Sequence, residues 1–262
     1  MKRISYSLIG LMLLFASCET IENRKELGPV LKASQLSFAV TQNPAGSNKV
    51  VLKNNTPNTL QYWDWGTGSS NKLIDTITMP FAGTYTIRFT AFCDGGTVTD
   101  STTFKIAAND NAYFDSDPAW KGLTNGGPGQ TWVWALDITG GKIAGNGPEN
   151  CTAPAWWTMT SSDGNVSGTL NDEVTIDLLG AANFSHKKGD GSITKGTFAV
   201  IAPYVNSGIK YSGIQITNGV RFPWPAPADG KYHITKMTAN ELVVHEYGQY
   251  NVAMFKRKGF SY

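Results

Sequence analysis

Residues 81–107 read FAGTYTIRFTAFCDGGTVTDSTTFKIA. Tyr85, Ile87, Phe89, Ala91 and Cys93 recur at every second position. On an extended chain, residues two apart share a face, whereas a helix would bring positions three and four apart together. The stretch therefore predicts two strands, joined by a turn at Asp94-Gly95-Gly96, with one apolar face. Cys93 ends that face as a small core residue. Working outward, QLSFAVTQN (35–43) sets Leu36, Phe38 and Val40 on one side, and NKVVLKNNT (48–56) and TLQYWDWG (59–66) follow as short strands. The first domain is thus a compact antiparallel β unit over 34–108.

Residues 109–130 are rich in Asn, Asp, Gly and Pro and read as a linker and lead-in loop. No helix is predicted past the N-terminal segment. Further strands are expected in TWVWALDI (131–138), SGTLNDEVTIDLLG (167–180), GTFAVIAP (196–203), IKYSGIQIT (209–217) and KYHITKM (231–237). A hairpin over 240–258 turns at Tyr247-Gly248-Gln249. The fold class is all-β: the N-terminal antiparallel unit, then a larger jelly-roll-type sandwich over 131–262. A lipocalin-like barrel is the other arrangement these short strands can adopt.

The chain begins MKRISYSLIGLMLLFASC. Lys2 and Arg3 precede an apolar run that is too short for a bilayer span, which needs roughly 20 residues. Residues 1–18 read as a secretory signal, and the small pair Ala16-Ser17 before Cys18 resembles a bacterial lipobox. That resemblance implies acylation of Cys18, with residues 19–33 as a flexible tether. Net charge is +2, charged residues make up 16% of the chain, and there is no basic block. Nucleic acid is not an expected partner. Cys93 and Cys151 fall in different domains, and no disulfide is expected between them.

Signatures of catalysis are absent: there is no G-x-S-x-G turn, P-loop, H-E-x-x-H or C-x-x-C. His186, His233 and His245 are too dispersed to predict a metal cluster. Glu173 and Asp177 share a strand face but stand roughly 13 Å apart at ~3.3 Å per residue. That matches neither spacing used by glycosidases. No catalytic residue and no cofactor is assigned, and the metal content is left unknown. A structural calcium near Asp172 is the one cation the residue types leave open.

Aromatic residues stand out instead. Trp132 and Trp134 share a face with Leu136 and are assigned to the core, as are Trp63 and Trp65. Trp120, Trp156, Trp157 and Trp224 lie beside prolines, in segments unsuited to central strands. A flat indole covers the C–H face of a pyranose without needing charge, and its N–H adds a polar handle. Asn146, Glu149 and Arg221 are near enough in sequence to meet hydroxyls. These seven residues form the candidate glycan-binding set. Alternation predicts that one of Trp156 and Trp157 anchors its loop while the other stays accessible.

Two family likenesses follow. Trp63-Asp64-Trp65-Gly66-Thr67-Gly68 and Gly83-Thr84-Tyr85 resemble the hallmark segments of PKD domains, over residues 34–107, a resemblance that implies an N-terminal immunoglobulin-like sandwich. TWVWALD, GNGPENCTAPAWWT, NDEVTIDL and YHITKMTANELVVHEYG resemble segments of surface lipoproteins from Bacteroidetes glycan-uptake (polysaccharide-utilisation) systems. The likeness implies a non-catalytic protein lipid-anchored at the outer membrane and exposed at the cell surface. It would bind polysaccharide or oligosaccharide and work beside an outer-membrane glycan transporter. A glycoside hydrolase or lyase with an unrecognised carboxylate site is the alternative. A structural or adhesive surface protein is the second.

Overall fold

The computed structural model describes residues 27–262. The signal-like segment and Cys18 lie outside the described residues. The protein is built almost entirely of β-strands.

The first unit contains β1 (Phe38–Gln42), β2 (Lys49–Asn54), β3 (Leu60–Asp64), β4 (Ser69–Ser70), β5 (Ile74–Thr78), β6 (Gly83–Cys93) and β7 (Gly96–Ile106). One sheet has the order β1-β2-β5 and the other β4-β3-β6-β7. This division of consecutive strands between two antiparallel sheets is the immunoglobulin-type arrangement. Cys93 opposes Gly96 across the β6–β7 turn. Ile87, Phe89 and Ala91 of β6 are fully buried, while Cys93 at its end is half-buried. They pack with Val50, Leu52 and Trp63, and Trp63 lies 4.6 Å from Phe89 between ring centroids. Trp65 packs at the edge of this core, with Gly68 close against its indole. The stretch read as a tether is not all free chain. Gly28 and Pro29 lie so close to Gly95 that a Cβ there would collide with them.

Residues 109–130 contain two short helices, which corrects the reading of this stretch as irregular. They are α1 (Asn111–Phe114) and α2 (Pro118–Thr124). Asp110 caps the first through its carboxylate, and Asp117 caps the second with Pro118 at its first turn. These are helix-start residues, but the same Asp/Pro composition also marks loops. Asn109 bridges the units, accepting from Ala82 N–H at 2.7 Å and donating to Leu178 O at 3.4 Å.

The second unit comprises β8 (Gln130–Trp134), β9 (Ala144–Asn146), β10 (Thr158–Met159), β11 (Glu173–Asp177), β12 (Asn183–Lys187), β13 (Ile193–Asn206), β14 (Ile209–Ile216), β15 (Lys231–Met237), β16 (Glu241–Glu246) and β17 (Asn251–Arg257). The strands from β11 to β17 pair in chain order, β8 pairs with β11, and β17 returns to β8. The result is a closed eight-stranded antiparallel barrel. A jelly roll needs Greek-key crossings, and this sequential order has none, so the barrel replaces the expected jelly-roll arrangement. Short strands give the same alternation in either topology, so only the pairing separates them.

The barrel interior is filled. Trp132, Trp134, Val174, Ile176, Phe184, Ile214, Tyr232, Leu242, Val244 and Phe255 point inward and are buried. Trp134 stacks on Phe255, its cross-strand partner, at 4.7 Å. Leu136, expected on the same face, is exposed because β8 ends at Trp134. Phe222 descends from the β14–β15 loop between Phe184, Tyr232 and Phe255. At the opposite end α2 acts as the plug. Trp120 is only 5% exposed and sits 5.2 Å from Phe198.

Trp120→Ala should therefore lower unfolding free energy by about 3–5 kcal/mol, whereas Trp156→Ala, at an exposed indole, should change it by no more than about 0.5 kcal/mol. Urea denaturation of the two variants measures the contrast.

Candidate functional site

Strand β17 is shared. Its Phe255–Arg257 half pairs with β8 and closes the barrel, while Asn251–Ala253 pair with β9. β8 stops at Trp134, and the chain returns ten residues later to occupy the rest of that edge. β9 and β10 thus form a small flap on the barrel wall, carrying the loop 147–157 between them. Gly145 faces the Trp157 backbone at a φ of +148°, where any Cβ would collide with the Trp157 carbonyl. The flap needs glycine there.

Both neighbouring indoles face out, Trp156 at 62% and Trp157 at 45% exposure. This corrects the expectation that one would anchor the loop. Residues 154–157 precede β10 and do not alternate as a strand. The anchoring is done by the backbone. Asn146 O accepts from both Ala155 N–H and Trp156 N–H, and Trp157 O accepts from Asn146 N–H. Pro154 supplies the buried side chain. Trp156 lies 5.3 Å from Tyr250, itself exposed in the β16–β17 turn, with the rings inclined at 57°.

Beside this pair is a layer of half-buried polar aromatics. Tyr204 Oη donates to Glu149 Oε2 at 2.6 Å, and Asn206 Nδ2 donates to the same oxygen at 2.8 Å. The Glu149 bond raises the Tyr204 phenol above its usual range, with desolvation adding to it. Tyr204 also lies over His233 at 4.3 Å and meets Tyr247 edge-on. His233 and His245 are directly opposed on β15 and β16 and stack at 4.7 Å, fully buried. His233 Nε2–H donates to Glu149 O at 2.6 Å, and His245 Nε2–H donates to Cys151 O at 2.9 Å. Two histidines of the barrel wall thus hold the loop that carries Glu149 and the indoles. Burial pushes the His233 imidazole down to about 4 and also lowers His245. Burial raises the thiol of Cys151, which is free, as is Cys93.

Of the seven sequence-chosen residues, Trp156, Trp157, Glu149 and Asn146 come together. Asn146 serves as a brace, its amide donating to Asn251 Oδ1 at 2.6 Å while Asn251 donates to Glu246 Oε2 at 2.8 Å. The other three lie apart. Trp120 is core, so it offers no open plane. Trp224 is half-buried and packs against the barrel core. Arg221 directs its guanidinium at four carbonyl oxygens, those of Pro227, Ile216, Val220 and Ala228, and so clamps its own loop. Tyr250, Tyr204, Tyr247 and the two histidines were missed. Their signal lay in cross-strand register, which a linear reading does not supply.

A second concavity of about 690 Å³ opens at the barrel mouth, lined in part by Asn171, Asp172, His186, Lys188, Arg221 and Phe222. Asp172 accepts from His186 Nε2–H at 2.7 Å and from Gly189 N–H at 2.8 Å. Both its oxygens thus have partners. Among the described residues, no three His, Cys, Asp or Glu side chains converge as a metal site.

No protein-family model matches this chain, and neither does any curated protein. Solved structures give loose likenesses. The PKD1 domain of Vibrio anguillarum Epp aligns with a TM-score of 0.25 at 21% identity, covering 28% of this chain and 92% of that one. A carbohydrate-binding module of the β-sandwich superfamily aligns with a TM-score of 0.25 at 13% identity, covering 85% and 90%. At these values neither bears on the site.

The buried histidines give a pH signature. With the folded pKa of His233 near 4, against about 6.5 when exposed, the unfolded chain binds the proton first. The stability from burying the neutral ring is complete above pH ~6.5 and is lost as pH falls towards ~4, at roughly 1.4 kcal/mol per pH unit for each such histidine. Urea midpoints across that range should fall less steeply in His233→Gln. Gly145→Ala should displace the β9–β10 flap, which a red shift of the exposed-indole fluorescence at unchanged far-ultraviolet dichroism would report.

Proposed function

We propose that this protein is a non-catalytic glycan-binding protein whose ligand lies on the platform of Trp156, Trp157 and Tyr250. The single observation that carries this reading is the solvent exposure of two adjacent indoles, at 62% and 45%, beside an exposed tyrosine at 49%. Leaving that much apolar surface in water is unfavourable at ~25 cal/mol per Å², and a rigid loop that keeps it uncovered fits a surface meant to be covered by a ligand. Stacking needs planes held at fixed angles, and the backbone bonds from Asn146 together with the two histidine donors supply that rigidity. Glu149 adds an acceptor at the rim.

The cellular setting in this proposal comes from the sequence. In this proposal Cys18, at the end of the signal-like segment, would carry a lipid anchor at the outer membrane, with the chain facing outwards and the immunoglobulin-like unit as spacer. Captured polysaccharide or oligosaccharide would pass to a transporter. Hydrolysis is the second reading, favoured by the Asp172–His186 pair lining the mouth cleft. The cleft's other carboxylate, Asp190, lies on an exposed turn where its Oδ1 accepts from Ser192 N–H. Among the described residues, no exposed aromatic plane lines the cleft as Trp156 and Trp157 do the platform, so binding is preferred.

Affinity electrophoresis in polysaccharide gels, paired with an assay for reducing-sugar release, tests the proposal. Retardation by at least one glycan without sugar release is expected. Trp156→Ala and Tyr250→Ala should each weaken binding by about 1–2 kcal/mol, roughly ten-fold. Retardation that survives both changes would remove the platform from consideration, and sugar release that disappears in His186→Ala would move function to the cleft.

A further inference from the structure

We infer that the platform selects uncharged glycans and rejects uronate- or sulfate-bearing ones, an inference that rests on the glycan-binding reading above. Three segments build the platform and its rim: residues 143–160, 203–209 and 247–252. Together they contain one carboxylate, Glu149, and neither lysine nor arginine. Lys210 follows the second segment but pairs with Val205, so it projects from the face opposite Tyr204 and Asn206. Glu246 precedes the third segment and adds a second negative charge near the same strand edge, where Asn251 holds it. His233 and His245 are buried, and their lowered pKa values keep them neutral at physiological pH. Lys231 lies across from Tyr247 but is paired with Asp229 at 3.6 Å, so the segments that build the platform offer no unpaired positive group to an anionic ligand, while Glu149 repels one.

Glu149 is also arranged to receive a neutral ligand. Its Oε2 takes both protein bonds, from Tyr204 and Asn206. Oε1 makes no hydrogen bond to protein and is left as an acceptor at the rim of the aromatic pair. A charged acceptor that is already fixed in place favours a sugar hydroxyl donor. The two planes are inclined at 57°, so successive sugar rings resting on them must turn relative to one another.

The test uses native affinity gels containing neutral polymers (starch, laminarin, galactomannan, xyloglucan) or anionic ones (polygalacturonate, alginate, chondroitin sulfate). Retardation is expected in at least one neutral gel and in none of the anionic gels. It should be unchanged between roughly 50 and 500 mM NaCl, because stacking and hydroxyl contacts are not screened as charge pairing is. Glu149→Gln should weaken neutral binding about ten-fold, and Tyr204→Phe, which keeps the free oxygen, should weaken it less. Retardation by an anionic polymer that fades with salt overturns the selectivity while leaving glycan binding intact. Retardation by no polymer overturns both. Full neutral binding in Glu149→Gln removes the carboxylate from the recognition.

Discussion

One strand edge organises the C-terminal unit. β17 gives its last residues to β8 and its first to β9, so the pairing that closes the barrel also creates the ledge on which the aromatic loop hangs. Closure removes open strand edges, and with them the freedom of β17 to shift register. A slip of one residue would turn Phe255 and Ala253 outward and Met254 and Val252 inward. It would undo the Trp134–Phe255 stack at the seam. Core packing and flap position are therefore set by the same hydrogen-bond ladder.

The barrel has no ligand-sized interior. Trp120 fills one end and Phe222 the other, each carried by a connection rather than by a strand. An eight-stranded barrel is just wide enough for side chains to fill, and here large aromatics do so. Under the proposed glycan-binding function, a ligand would then use the outside wall or the mouth. On the wall, the residues are stiffened from beneath by a stacked histidine pair whose carbonyl acceptors belong to the loop itself. At the mouth, Asp172 bonds to His186 and to backbone, and Arg221 to backbone carbonyls.

The two units use their tryptophans differently. The immunoglobulin-like sandwich fully encloses Trp63, which donates to Lys72 O at 3.1 Å, and packs Trp65 partly buried at the core edge. Its aromatic residues stabilise the sandwich. Of the tryptophans in the second unit, Trp132 and Trp134 donate their indole N–H groups to Leu123 O and Thr169 O. Trp156 and Trp157 stay outside. Residue type alone does not distinguish a tryptophan that fills a core from one that offers a surface.

The sequence by itself determined the all-β character, the β6–β7 hairpin, the turn of the last hairpin and the inward placing of Trp132 and Trp134, because period-two alternation and turn residues are local properties. It also marked 146–157 as unusual, through adjacent tryptophans beside proline. Only the tertiary structure decided that the second unit closes as a meander barrel, that Trp120 and Arg221 serve the fold, and that both Trp156 and Trp157 face solvent. It also brought His233 against His245 and Tyr250 against Trp156. These facts depend on which strands pair and in what register. Pairing is fixed by contacts between residues as distant in sequence as Trp134 and Phe255, and no local pattern carries that information.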